Sequence, residues 1–163
     1  MASAPVAAEK STLRTRWPVF VAAAAFVFVL AQVGSHLVHA YLPLNEPYVV
    51  TPFLHLTHVR NTGVIFGWLP GNSMVFAIAG TAVVIAGCLL LLRTAASAYQ
   101  FLCLGLIVGA AASNIVDRLA YGAVIDFIDV RGIPHWHYVF NTADVMIHLG
   151  AWPLALGSIF RRD

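Results

Sequence analysis

The chain has 163 residues, of which 60% are hydrophobic and only 10% charged, with a net charge of +2 and a mean hydropathy of +0.83. A soluble globular domain carries roughly 25% charged residues, so this balance excludes one and points to an integral membrane protein. The few basic groups also exclude a nucleic-acid reader, which needs a dense basic face.

Residues 1–16 are small and polar and place Lys10, Arg14 and Arg16 ahead of an uncharged run. That run, from Trp17 to Val38, predicts a first span over 17–38, with Pro18 in its first turn, where a missing N–H costs nothing. A cleavable signal peptide competes, because Val38-His39-Ala40 weakly resembles a cleavage site. The run is longer than a signal core, which favours a retained helix. Residues 39–73 are broken by Pro43, Pro47, Pro52, Pro70, Gly63, Gly67 and Gly71 and predict an extramembrane segment. Within it Tyr48–Phe53 and Leu54–Val59 read as short strands, and Trp68 as a headgroup-level residue.

Residues 74–92 lack any charge and end at Arg93, a second span followed by a turn. A third span covers 99–118, where Gly105, Gly109 and Ser113 recur every four residues and leave one face small enough for a close neighbour. Residues 119–138 leave the membrane, and 139–160, interrupted by Pro153, return through it as a fourth span. Cys88 and Cys103 lie in apolar runs and read as small buried hydrophobes rather than a disulfide or metal site. Four spans put Lys10, Arg14, Arg16, Arg93, Arg161 and Arg162 on one side against Arg60, Arg118 and Arg131 on the other. The more basic side should be cytoplasmic, with both termini there.

Four acidic residues fall in the stretch from Asn114 to Asp144, within an otherwise apolar region: Asp117, Asp126, Asp129 and Asp144. Ionisable groups at a membrane boundary are functional candidates, since their desolvation must be offset. Asn141 and Asp144 share a helical face, so Asn141 is placed to orient the Asp144 carboxylate, and His148 follows one turn on. In the alternating run Val124-Ile125-Asp126-Phe127-Ile128-Asp129 a strand-like path points Asp126 away from Phe127. A loop of this length can fold Asp126 back against Asp144. Two adjacent carboxylates share a proton, one activating water while the other polarises a carbonyl. Proton relay or ion conduction is the other reading of such a pair. Asp117 with Arg118 reads as a structural ion pair or cap, and Asp129 with Arg131 as a solvated loop pair. The seven histidines come without a converging carboxylate set, and neither a metal nor a cofactor is expected.

These motifs resemble the lipoprotein signal peptidase (signal peptidase II) family of aspartyl peptidases. The resemblance is carried by Val59-Arg60-Asn61-Thr62-Gly63-Val64-Ile65-Phe66-Gly67, by Asn114 to Arg118 with Gly122-Ala123-Val124-Ile125-Asp126-Phe127, and by Phe140-Asn141-Thr142-Ala143-Asp144 with Ile147 and Gly150. It implies an all-α membrane protein of one domain. Four transmembrane helices are expected, with a small periplasmic β-sheet and half-helix inserted between the first two. It further implies an intramembrane endopeptidase that cuts bacterial prolipoproteins N-terminal to a diacylglyceryl-modified cysteine at the outer face of the inner membrane and is blocked by globomycin-like inhibitors. By resemblance Asp126 and Asp144 are the catalytic dyad, and Asn61, Gly63, Asn114, Arg118 and Asn141 bind substrate or support the site. The family's first helix usually carries Asp, Gln and Lys where this chain has Ala31, Gln32 and His36, and a Gly where it has Ser113. Those departures motivate a second reading, a non-catalytic membrane subunit of a larger complex or a lipopeptide-binding paralogue.

Overall fold

The computed structural model describes residues 4–62, 73–93 and 97–160. Four helices, α1 (Ala4–Tyr41), α2 (Ser73–Arg93), α3 (Ala98–Tyr121) and α4 (Thr142–Phe160), are joined at one end to a sheet of β1 (Pro47–Thr51), β2 (Leu54–Asn61), β3 (Val124–Val130) and β4 (Val139–Phe140). The strands lie in sequence order, and each adjacent pair is antiparallel.

Helix α1 begins well before the expected span, because residues 4–16 include several good helix formers and extend the same helix. Pro18 therefore lies inside the helix rather than in its first turn, where its ring forgoes one hydrogen bond. Helix α3 starts at a capping box: Ser97 Oγ accepts from Gln100 N at 3.3 Å, and Gln100 Oε1 accepts from Ser97 N at 2.7 Å. It ends at Gly122, whose φ of 71° places it in the left-handed region that glycine enters without a Cβ clash. That reversal lets the chain enter β3 two residues later.

Small residues set the spacing of the bundle. A methyl added at Gly105 would lie 2.7 Å from the Phe20 carbonyl oxygen of α1, and one at Gly150 would lie 2.5 Å from the Cys103 carbonyl oxygen. Gly109 faces the Ala24 backbone at still closer range. The expected small face of α3 is thus the seam against α1. Val27, Ala31, Ala110 and Ala143 form the buried centre where α1, α3 and α4 meet. A second cluster, Val38, Ile125 and Phe127, seats the sheet on the end of α1.

The sheet corrects one expectation. It is not an insertion between the first two helices alone, because half of it comes from the segment between α3 and α4. The alternating apolar run at β3 is buried on both faces and needs strand neighbours on both edges, β2 on one side and β4 on the other. The expected half-helix, along with Trp68, falls in residues 63–72, outside the described residues.

Outward-facing positions on the helices are apolar to an extent that water would not tolerate. Val21, Phe26 and Val29 on α1, Ile78, Val83 and Leu90 on α2, and Leu149 and Trp152 on α4 are all at least half exposed. By length and hydropathy Arg16–Tyr41 and Ala98–Tyr121 are each sufficient to cross a membrane, and Ala77–Leu91 is a shorter apolar stretch.

Candidate active site

Asp126 and Asp144 are brought together where β3, α3 and α4 converge. Helix α4 begins at Thr142, so Asn141 is its N-cap and Asp144 the third residue of its first turn. The two exchange the reciprocal bonds of a capping box: Asp144 N donates to Asn141 Oδ1 at 3.0 Å, and Asn141 N donates to Asp144 Oδ2 at 3.2 Å. The Asp144 carboxylate is thereby fixed at a helix N-terminus, where the helix dipole favours an anion.

Asp126 is 2% exposed. Its Oδ1 accepts from Asn141 Nδ2 at 2.7 Å and its Oδ2 from Asn61 Nδ2 at 2.8 Å. The second bond follows from register. Val59 lies opposite Asp126 and Asn61 opposite Val124, so Asn61 and Asp126 are diagonal neighbours on one face of the sheet. Phe127 points to the other face, into the cluster with Val38, as the alternation predicts. Asn114 closes the ring. Its Nδ2 donates to Asp144 Oδ1 at 3.2 Å and its Oδ1 accepts from Asn141 Nδ2 at 3.2 Å. Asn141 thus touches both carboxyl groups at once.

These contacts fix the proton affinity of Asp126. Burial, and next the charge of Asp144, push its carboxyl from the ordinary 3.8 up to about 7, against the pull of the Asn61 and Asn141 hydrogen bonds and the Arg118 guanidinium. Arg118 is held to its own helix, Nη1 donating to the Asn114 carbonyl at 3.1 Å. Gly63 lies outside the described residues.

Three other titratable residues lie close to this ring or to its supporting strand. Asp117 is fully buried and accepts hydrogen bonds from Gln32, Ser35 and the Ile125 N–H. Gln32 stood out in the sequence only as a match to the family's first helix, and Ser35 escaped notice because a lone Ser in an apolar helix carries no spacing signal. Asp129 is no solvated loop residue: it lies buried in β3, where it accepts from Thr57 Oγ1 at 2.7 Å as well as pairing with Arg131. Burial of β3 on both faces makes that second partner necessary. His148 Nδ1 contacts the Asp144 carbonyl oxygen at 2.7 Å, not its carboxylate. His39 stacks against Tyr121 and meets His58 edge-on, and among the described residues no three potential metal ligands converge.

The family model for signal peptidase (SPase) II matches residues 23–160. The chain is 33% identical over 145 residues to the lipoprotein signal peptidase of Tolumonas auensis, covering 85% of this chain and 88% of that one. It is 39% identical over 125 residues to the lipoprotein signal peptidase of Syntrophomonas wolfei, with 76% and 81% covered. Two solved structures, each titled as a bacterial membrane enzyme studied by the in meso method, superpose with TM-scores of 0.80 and 0.77 at 26% identity. They cover 86% and 88% of this chain and 87% and 94% of their own chains. The polar ring around Asp126 and Asp144 therefore sits in a fold and sequence shared with these enzymes along most of the chain, and the chain belongs to the signal peptidase II family.

Proposed function

We propose that the protein is an aspartyl endopeptidase that removes signal peptides from diacylglyceryl-modified prolipoproteins, cutting N-terminal to the lipidated cysteine, with Asp126 and Asp144 as its dyad. The observation that carries this reading is Asn141, which joins two carboxyl groups, Asp126 through its side-chain amide and Asp144 through its main-chain N–H, one of them driven to hold a proton near neutrality. Burial and the neighbouring Asp144 charge raise Asp126 to about 7, so the pair shares one proton near neutrality, carried in this reading by Asp126. Asp144 then takes a proton from water as the water oxygen attacks the scissile carbonyl, and Asp126 gives its proton to the carbonyl oxygen. In the collapse Asp144 passes its proton to the departing nitrogen and Asp126 recovers its own, so the C–N bond breaks with the dyad restored. Asn61, Asn114, Arg118 and Asn141 hold the carboxyl groups in place, and Gly63 belongs to the substrate-binding segment that follows Asn61.

The helices are read as four spans of a single inner-membrane domain, both termini cytoplasmic and the sheet at the periplasmic face. The outward apolar side chains of α1, α2 and α4 support this reading. A lipidated substrate reaches the dyad sideways from the bilayer, its acyl chains bound by the apolar helix surfaces.

The test is cleavage of a diacylglyceryl-modified prolipoprotein by purified protein in detergent. Asp126→Asn and Asp144→Asn should each lower the rate about a hundredfold or more while the protein stays folded, and a globomycin-like inhibitor should block the wild type. A dyad variant that cuts at the wild-type rate overturns the assignment. Inert, folded wild-type protein across several prolipoproteins would favour the non-catalytic binding paralogue or subunit instead.

A further inference from the structure

Asp117 lies outside the ring that holds the two carboxyl groups, yet among the described residues no side chain is more completely buried. Its Oδ1 accepts from Gln32 Nε2 at 2.8 Å, and its Oδ2 accepts from Ser35 Oγ at 2.9 Å and from the Ile125 N–H at 3.2 Å. The Gln32 amide also reaches the Ser113 hydroxyl at 3.0 Å and the Ser113 carbonyl at 3.1 Å. One carboxyl group thus ties α1 and α3 to the backbone of β3, one residue before Asp126. A buried carboxyl is a costly way to join two helices, since apolar packing of equal volume does as well or better. Its distinguishing contact is the one with Ile125.

We propose that Asp117 is a positioning residue for the reaction, acting through the Ile125 N–H to fix the height of Asp126 against Asn141 and Asp144, with Gln32 and Ser35 of α1 holding the Asp117 carboxyl in register. The proposal rests on the peptidase reading for its kinetic consequence but not for its structural one. The chain leaves α3 at Gly122 and reaches Asp126 four residues later, so the Asp117 bond is a tether between the end of the helix and the strand. Without it Ile125 loses a buried hydrogen-bond partner and β3 can shift relative to α4. A displacement on the order of 1 Å at a reacting group costs roughly a hundredfold in rate. It would also admit water to Asp126 and lower its proton affinity, because burial is the main reason that affinity is high.

Two variants test this. Asp117→Asn keeps the size but turns an amide NH₂ toward either Gln32 or Ile125, both donors, so one bond must break. Ser35→Ala removes a single hydroxyl and keeps the Ile125 bond, so it should fold and serve as the mild case. In detergent, kcat, KM, thermal midpoint and the Asp126 titration, followed by carboxyl carbon NMR, are measured for each against wild type. The expected result for Asp117→Asn is a kcat loss of roughly tenfold or more with KM little changed, and an Asp126 titration moved to lower pH. Ser35→Ala should show the same changes in smaller measure. If Asp117→Asn does not fold, Ser35→Ala decides by the same two readouts. A kcat loss that only tracks the folded fraction, with the Asp126 titration unmoved, overturns the proposal and leaves Asp117 a helix-packing residue. If the wild type cleaves nothing, the peptidase reading fails, and the NMR titration still decides whether Asp117 positions Asp126.

Discussion

At the residue scale, Asp126 carries the clearest consequence. Its proton affinity is raised from the usual 3.8 to about 7, so the folded protein binds that proton more tightly than the unfolded chain does. The sign follows from linkage: the contribution is intact below about pH 4 and is lost as pH rises through about 7, where ionisation of the buried carboxyl costs on the order of 4 kcal/mol. Thermal midpoints of the wild type should therefore carry a downward component between pH 4 and 7. In Asp126→Asn that component should vanish, so the two curves converge toward acid and separate in favour of the variant toward alkaline pH. Parallel curves across the range would place the titration on another group. If Asp126 and Asp144 are the dyad as proposed, cleavage should fall above about pH 7 for the same reason, because ionisation removes the proton that the two share. Both carboxylates were legible in the sequence, since acidic residues in an apolar chain stand out by cost alone. The bridging role of Asn141 was legible only in part: its three-residue spacing from Asp144 marks a helix start, but its amide contact with Asp126 depends on where β3 lies, and no local pattern encodes that.

At the scale of the elements, the close approach of α1, α3 and α4 decides how accurately the polar ring is assembled, because Asn114 belongs to α3, Asn141 to the start of α4 and Gln32 to α1. The Gly105 and Gly109 spacing announced that seam, since small residues every four positions leave a groove for a neighbouring backbone. Gly109→Ala should accordingly destabilise the protein by roughly 1–3 kcal/mol, as overpacking does in a filled interior. Gly80→Ala on α2 meets nothing within 4 Å and should instead gain up to about 1 kcal/mol from helix propensity. Thermal unfolding of the two variants side by side checks the claim, and equal shifts of the same sign would mean that the α1–α3 seam does not limit stability. The sheet was less legible than the helices. Strands β1 and β2 could be read from their β-branched and aromatic residues between prolines, whereas the pairing of β2 with β3 joins residues more than sixty positions apart. The bulge between Leu56 and Val59 shifts that register, and it is this shift that sets Asn61 beside Asp126.

At the scale of the whole molecule, the proposed direction of the bundle across the bilayer is argued from which end carries the sheet. The end of α1, the end of α3 and the start of α4 all meet the sheet, while α2 ends and α3 begins at the far side. Trp17 of α1 contacts Phe101 there, edge-on at 5.6 Å. The far side collects Lys10, Arg14, Arg16 and Arg93, against Arg60, Arg118 and Arg131 at the sheet end, and such a basic bias is what the proposed cytoplasmic placement of that end rests on. Single-cysteine labelling tests this once Cys88 and Cys103 are replaced by serine. Tyr48→Cys sits on exposed β1 and Ala98→Cys on the exposed first turn of α3. In intact spheroplasts a membrane-impermeant maleimide should label the first and should reach the second only after permeabilisation. The reverse pattern would invert the protein and deny the dyad its access to lipidated precursors at the outer face. Equal labelling of both sites before permeabilisation would mean that the bundle does not separate two compartments, because a sealed bilayer cannot pass a charged reagent to both ends of the same helices.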